Sequence, residues 1–146
     1  MKLSFKILIF ILGIICFAII RFFETELFYD PLISFYKSNF SQKPFPEIDA
    51  WKYYLNLAFR YTLNTGISLV LIWVSFQNKS YIKFSIMLYI VLFVIGIIAF
   101  MFTVHNIEIE NFMTLFYIRR FLIQPLLVII LLPAFYFQNI NKNADI

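Results

Sequence analysis

The sequence has little cysteine, glycine and charge. One cysteine and three glycines occur among 146 residues, and charged side chains make up 14% of the chain. A lone cysteine cannot form an internal disulfide, and no cysteine pair is available to bind a metal. Soluble domains carry about 25% charged residues. The scarcity of charge therefore excludes an ordinary soluble enzyme domain, and we expect neither a metal nor a cofactor.

Hydrophobic residues, which make up 62% of the chain, are spread along its whole length. A membrane-spanning helix needs about 20 mostly apolar residues. Four segments meet this requirement: 5–23, 53–76, 82–104 and 112–137. The pattern predicts an all-α membrane protein with four transmembrane helices, forming one integral membrane domain over residues 1–146. The first segment has no convincing cleavage site, so we expect it to remain as a helix.

The loop charges predict the orientation of the chain. Lysine and arginine are enriched in short cytoplasmic loops. Lys2 and Lys6 precede the first predicted helix, and Lys142 lies in the C-terminal tail. Lys79 and Lys83 flank the turn between the second and third predicted helices. We therefore expect both termini in the cytoplasm. Basic residues are too scattered for a phosphate-binding face, so no nucleic acid is expected as a partner.

The segment 24–52 is predicted to be an external loop with some structure of its own. Leu27, Phe28, Leu32, Phe35 and Tyr36 recur at helical spacing. This spacing predicts a short amphipathic helix lying in the membrane interface.

Charged side chains within the spans are the candidate functional residues. Arg60, Arg119 and Arg120 lie inside predicted helices, and a central arginine costs about 2.5–3.5 kcal/mol on insertion scales. Candidate charge partners at the external side are Arg21, Glu24, Glu26, Asp30, Glu108 and Glu110. Such costly groups are expected to face other helices, a polar cavity or a partner protein.

Spacing by four residues groups further polar side chains with these arginines. Asn56, Arg60, Asn64 and Ser68 share one helix face, and Gln124 follows Arg120 at the same interval. Pro125 removes a hydrogen bond to the carbonyl of Phe121, which adds a polar group there. The candidate pocket or partner contact comprises Asn56, Arg60, Asn64, Arg119, Arg120 and Gln124. The pattern fits either polar contacts between helices or a ligand pocket, and it does not decide whether Arg119 or Arg120 faces the bundle.

Three stretches together resemble a known family. They are 21–31 (RFFETELFYDP), 54–65 (YLNLAFRYTLNT) and 116–125 (FYIRRFLIQP), the last continuing into Leu132 to Tyr136. The chain resembles the exosortase F system-associated membrane proteins of flavobacteria. The resemblance implies a small multipass protein encoded beside an exosortase, a membrane-embedded transpeptidase-like enzyme. The resemblance also implies a location in the bacterial inner membrane, and it assigns no catalytic residues.

We therefore expect a non-enzymatic accessory subunit of an exosortase-type protein-sorting system. Its partners would be the exosortase, membrane lipid and the tail helices of sorted substrates. The alternative is a small transporter or anionic-lipid-binding protein that uses the outer-leaflet arginines. A protease would need Cys16 and His105 to converge, although their expected depths differ by roughly half a bilayer of about 30 Å.

Overall fold

The structure is a computed structural model that describes residues 2–27, 32–38, 44–47 and 49–145. The described parts are helices, turns and irregular segments, with no β-strand. The helices are α1 (Leu3–Phe22), α2 (Glu24–Leu27), α3 (Leu32–Lys37), α4 (Ala50–Phe76), α5 (Lys79–His105), α6 (Phe112–Ile123) and α7 (Leu126–Ala144), with a 3-10 turn at Ile109–Asn111 before α6. The predicted all-helical architecture is confirmed for these residues.

Three helices, α1, α4 and α5, are long and apolar enough to cross a membrane. The pair α6 and α7 also passes this test, but its axes are bent by 58° at the break between them. The chain therefore has three candidate spans, or four if the bent pair crosses the membrane once. The prediction of one continuous helix over 112–137 is wrong.

Pro125 explains why the fourth segment breaks. A proline lacks the backbone N–H and disfavours the helical conformation at the residue before it. Gln124 accordingly has extended backbone angles, with φ −102° and ψ 144°. Pro133 has a different outcome, because it lies inside α7 and that helix continues to Ala144.

Helix α4 lies at the centre of the bundle and contacts α1, α5, α6 and α7. It is joined to α5 by a tight connection in which Gln77 adopts the left-handed conformation, with φ 49°. The side chain of Asn78 then caps α5 by accepting a hydrogen bond from the Ser80 backbone at 2.9 Å. Tyr53 stacks on Phe100 across the same pair of helices, with ring centroids 5.4 Å apart.

Helix α1 lies at the edge of the bundle and packs on α4. Gly13 is its only buried residue. A Cβ atom at Gly13 would lie 2.7 Å from Leu71 Cδ2, so the missing side chain permits the close approach of the two helices. The rest of α1 leaves large apolar side chains exposed along its length.

The described residues do not show the predicted interfacial loop helix as a single element. Helix α2 ends at Leu27 and α3 begins at Leu32, while Phe28 lies outside the described residues. Leu32 and Phe35 are buried, and the Tyr36 hydroxyl donates a hydrogen bond of 2.9 Å to the Phe112 carbonyl. Helix α3 therefore packs its apolar face against the start of α6.

Candidate functional site

Glu24 and Arg60 form a buried ion pair that joins two separate parts of the chain. Arg60 Nη2 donates a hydrogen bond to Glu24 Oε2, and Arg21 Nη1 donates to the same oxygen at 2.8 Å. Arg60 is 2% exposed, whereas the side chain of Arg21 is 61% exposed. The chain turns at Phe23 between α1 and α2, and this turn brings Glu24 against α4. One carboxylate therefore connects the end of α1 to the interior of α4.

The electrostatics of this contact are those of a structural ion pair. A buried arginine needs a charged or hydrogen-bonded partner, because an uncompensated charge in a low-dielectric interior is strongly destabilising. Glu24 supplies that partner from within the chain. Arg21, at the exposed end of α1, adds a second positive charge to the same carboxylate. The Arg60 guanidinium thus stabilises the packing of α1 on α4.

Asn64 forms the second interhelical contact of the polar face. Its Nδ2 donates a hydrogen bond of 2.8 Å to the carbonyl of Ile123 at the end of α6. The last carbonyls of a helix have no partner within that helix. Asn64 therefore satisfies a carbonyl exposed by the break before Pro125. The sequence predicted a polar pocket beside the carbonyl of Phe121, whereas Asn64 reaches the carbonyl two residues further on.

The adjacent arginines of α6 have different surroundings. Arg119 is 5% exposed and faces the bundle. Arg120 is exposed, and its Nε donates a hydrogen bond of 3.1 Å to Oε1 of Gln124. The structure therefore answers the question that the sequence left open, since only the second of the two arginines faces outward.

The remaining predicted residues lie away from these contacts. Asn56 is half-buried and donates to the Lys52 carbonyl of its own helix at 2.8 Å. Glu26, Glu108 and Glu110 are exposed, and no ion pair joins them to any described residue. Asp30 lies outside the described residues. These internal contacts therefore use only part of the predicted set, namely Arg21, Glu24, Arg60 and Asn64.

Sequence reasoning missed a groove between α4 and α5. It has a volume of about 260 Å³ and is mainly apolar. At its edge the Tyr61 hydroxyl donates a hydrogen bond of 2.7 Å to the Tyr89 carbonyl. Ala58 and Thr62, small residues four apart on α4, line the opening. This spacing was the available signal, since small residues at such intervals mark close helix contacts in membranes.

The structure does not join Cys16 and His105. Cys16 is exposed on α1, six residues before its end, whereas His105 is the last residue of α5. No hydrogen bond connects the two side chains, and within the described ranges no cluster of three or more His, Cys, Asp or Glu residues could hold a metal.

No family model, curated protein or solved structure matches this chain. Its class therefore follows from the fold and the site alone. The chain is an all-helical protein with several helices apolar enough to cross a membrane, and it has buried polar contacts between its helices.

Proposed function

We propose that this protein is a non-enzymatic accessory subunit of an exosortase-type protein-sorting system in the bacterial inner membrane. The observation that carries the proposal is the buried pairing of Arg60 with Glu24. Arg60, a buried charged residue of the predicted site, contacts Glu24 of another helix in this chain. Such use of a polar group favours a structural role over a ligand pocket. The resemblance to exosortase-associated proteins is the reason for proposing an exosortase as the partner.

In this proposal both termini lie in the cytoplasm and α6 with α7 forms the fourth span. Helix α3 then lies in the external interface, next to the first turn of α6. The end of α1, with Arg21 and Glu24, is on the same external side as the start of α4. The accessory protein would stabilise the exosortase there, or help present the tail helix of a sorted substrate.

We propose α1 as the contact with the enzyme. It packs on the bundle through α4, and large apolar side chains such as Ile14, which is 61% exposed, cover the rest of its surface. A second membrane helix can pack on such a face without displacing any part of this chain. This arrangement suits a helix that binds a partner within the bilayer.

Affinity purification from native membranes tests the proposal. The protein carries a cytoplasmic C-terminal tag, and crosslinked partners are identified by mass spectrometry. We expect the exosortase encoded beside it to co-purify. Ile14→Trp should reduce its recovery, whereas the matched variant Ile98→Trp on α5, at a side chain 62% exposed, should not. Absence of the exosortase from the wild-type sample would refute the accessory role, and equal recovery with both variants would refute α1 as the contact.

The alternative function, a transporter or anionic-lipid-binding protein, is favoured by one observation. Arg120 is exposed on α6, and its Nε donates a hydrogen bond to the half-buried Gln124. Recovery of the protein with lipid alone in the same purification would favour this alternative.

A further inference from the structure

Arg120 belongs to an outward-facing polar strip on α6. Met113, Tyr117, Arg120 and Gln124 follow one another at intervals of four, three and four residues, so they lie along one helix face. Tyr117 is 59% exposed and Met113 is 44% exposed. Arg120 is exposed, and Gln124 is half-buried at the helix break. An arginine on a face of this kind cannot be left against hydrocarbon, because charged groups in membranes pair with other groups or reach water.

The depth of Arg120 indicates which group it meets. Helix α5 has 27 residues and is about 40 Å long, so each end projects about 5 Å beyond a hydrocarbon core of about 30 Å. Helix α6 begins at the same end of the bundle, after the short turn that follows α5. Arg120 lies eight residues into α6, which puts its Cα about 7 Å below the surface of the core. An arginine at this depth extends its guanidinium to the headgroup layer.

The neighbouring side chains suit a phosphate there. Gln124 Oε1 accepts the hydrogen bond from Nε, and no described residue accepts one from the terminal nitrogens of this guanidinium, which can therefore bind an anion. Guanidinium groups bind phosphate through paired charge-assisted hydrogen bonds. Tyr117 lies about 4.5 Å nearer the surface, where tyrosine side chains are favoured.

We propose that Arg120, positioned by Gln124 and flanked by Tyr117, binds the phosphate of a leaflet phospholipid on the outer face of α6. This site is separate from the internal contact of Arg60 with Glu24. It does not depend on the accessory role, since a lipid-binding face and a partner-binding α1 occur on different helices.

Lipid retention by the purified protein tests the site. The protein is taken from vesicles of phosphatidylcholine and phosphatidylglycerol into mild detergent, and bound phospholipid is counted by native mass spectrometry. We expect Arg120→Gln to reduce retention about tenfold, as for loss of a charge-assisted contact. Lys83→Gln removes one exposed charge near the other end of the bundle and should change retention less than about twofold. Equal losses in both variants would overturn the site.

A direct measurement on the wild-type protein tests the site even if the Arg120→Gln variant folds poorly. Solid-state NMR reports dipolar coupling between isotope-labelled arginine nitrogens and lipid phosphorus in the same vesicles. The wild-type protein has four arginines, and we expect a coupled signal that inorganic phosphate does not displace. A wild-type spectrum without coupling would overturn the proposal. Displacement by inorganic phosphate would do so too, because it would assign the site to a soluble anion.

Discussion

Glu24 is the residue through which α1 is held to the interior of the bundle. Its carboxylate accepts hydrogen bonds from Arg21 and Arg60, of which only Arg60 is buried. Removing Arg60 leaves a buried carboxylate with one exposed partner. The effect on stability is therefore governed by the charge left behind more than by the lost contact.

Arg60→Leu should lower the free energy of unfolding by about 3 kcal/mol, the lower end of the range for breaking a buried pair, because Arg21 still neutralises Glu24. The double variant Glu24→Leu with Arg60→Leu should recover most of that loss, since neither charge of the pair remains buried. Unfolding by denaturing detergent, monitored by circular dichroism, measures both. A double variant less stable than Arg60→Leu would contradict the ion-pair explanation.

Asn64→Ala should destabilise the protein by about 0.6 kcal/mol, the average for hydrogen bonds between membrane helices, and by no more than about 1.7 kcal/mol. The loss should be local, because Asn64 holds the Ile123 carbonyl at the break. Hydrogen exchange should accelerate in α6 and in the first turn of α7. Thr62→Ala is the control, since the Thr62 hydroxyl donates to Ala58 within its own helix. Similar exchange in both variants would argue against a role for Asn64 at the break.

The sequence predicted some of these residues and not others. Helical spacing correctly put Asn64 and Ser68 on one face with Arg60, because period alone sets which side chains share a face. The orientation of Arg119 and Arg120 was not predictable. Neighbouring residues on a helix point about 100° apart, so the packing of α6 on α4 and α5 decides which one is buried.

The break between α6 and α7 is the main departure from an ideal bundle. It is imposed locally by Pro125, and it is held by Asn64 and by buried α7 side chains such as Leu131 and Phe135. Pro133 does not interrupt α7. The two prolines therefore provide a matched pair for testing how the bend arises.

Pro125→Ala should straighten the α6–α7 segment, because it restores a backbone donor and removes a ring clash of about 3 kcal/mol. Spin labels at Met113 and Phe137 should then move apart, from about 32 Å at the 58° bend to about 36 Å in a continuous helix. Pulsed electron resonance measures this distance. Pro133→Ala should leave it unchanged, and an unchanged distance in Pro125→Ala would show that packing alone maintains the bend.

Two glycines should respond in opposite ways to the same substitution. A Cβ atom at Gly96 would lie 2.6 Å from Leu122 Cδ2, whereas a Cβ atom at Gly66 meets nothing within 4 Å. Gly96→Leu should cost about 1–3 kcal/mol through overpacking of α5 on α6. Gly66→Leu should leave stability unchanged or raise it, because leucine is the better helix former. Thermal unfolding distinguishes the two, and equal effects would contradict the close contact.

At the scale of elements, composition predicted the long helices well and the broken one poorly. Uninterrupted apolar runs define α1, α4 and α5 to within about three residues at each end. The fourth run is also largely apolar, but hydropathy takes no account of the missing backbone donor at Pro125. It therefore does not predict the break in this helix. The packing of α3 on α6 was also not predictable, because it depends on contacts such as that between Tyr36 and Phe112 across 76 positions of the sequence.

At the scale of the whole molecule, the bend between α6 and α7 allows two paths, because the pair either crosses the membrane or returns to the side it entered. The proposed orientation requires a crossing. Cysteines introduced singly at Glu108 and Lys142, in a Cys16→Ala background, distinguish the two paths. An impermeant maleimide on intact cells should label the first position and not the second.

Labelling of both positions would indicate a re-entrant pair with an external C-terminus. A third cysteine at Lys2 completes the topology, because it should remain unlabelled if the N-terminus is cytoplasmic. Labelling at Lys2 together with protection at Glu108 would show an orientation opposite to the one proposed. The contact with the exosortase on the external side would then be ruled out.

The pairing of Glu24 with Arg60 also constrains how the protein is made. The two residues are 36 positions apart. At about 5–20 residues per second, the ribosome adds Arg60 roughly 2–7 seconds after Glu24. During this interval Arg21 is the only one of the two arginines available to the Glu24 carboxylate. The contact that holds the end of α1 against α4 is therefore completed only after Arg60 of α4 has been made.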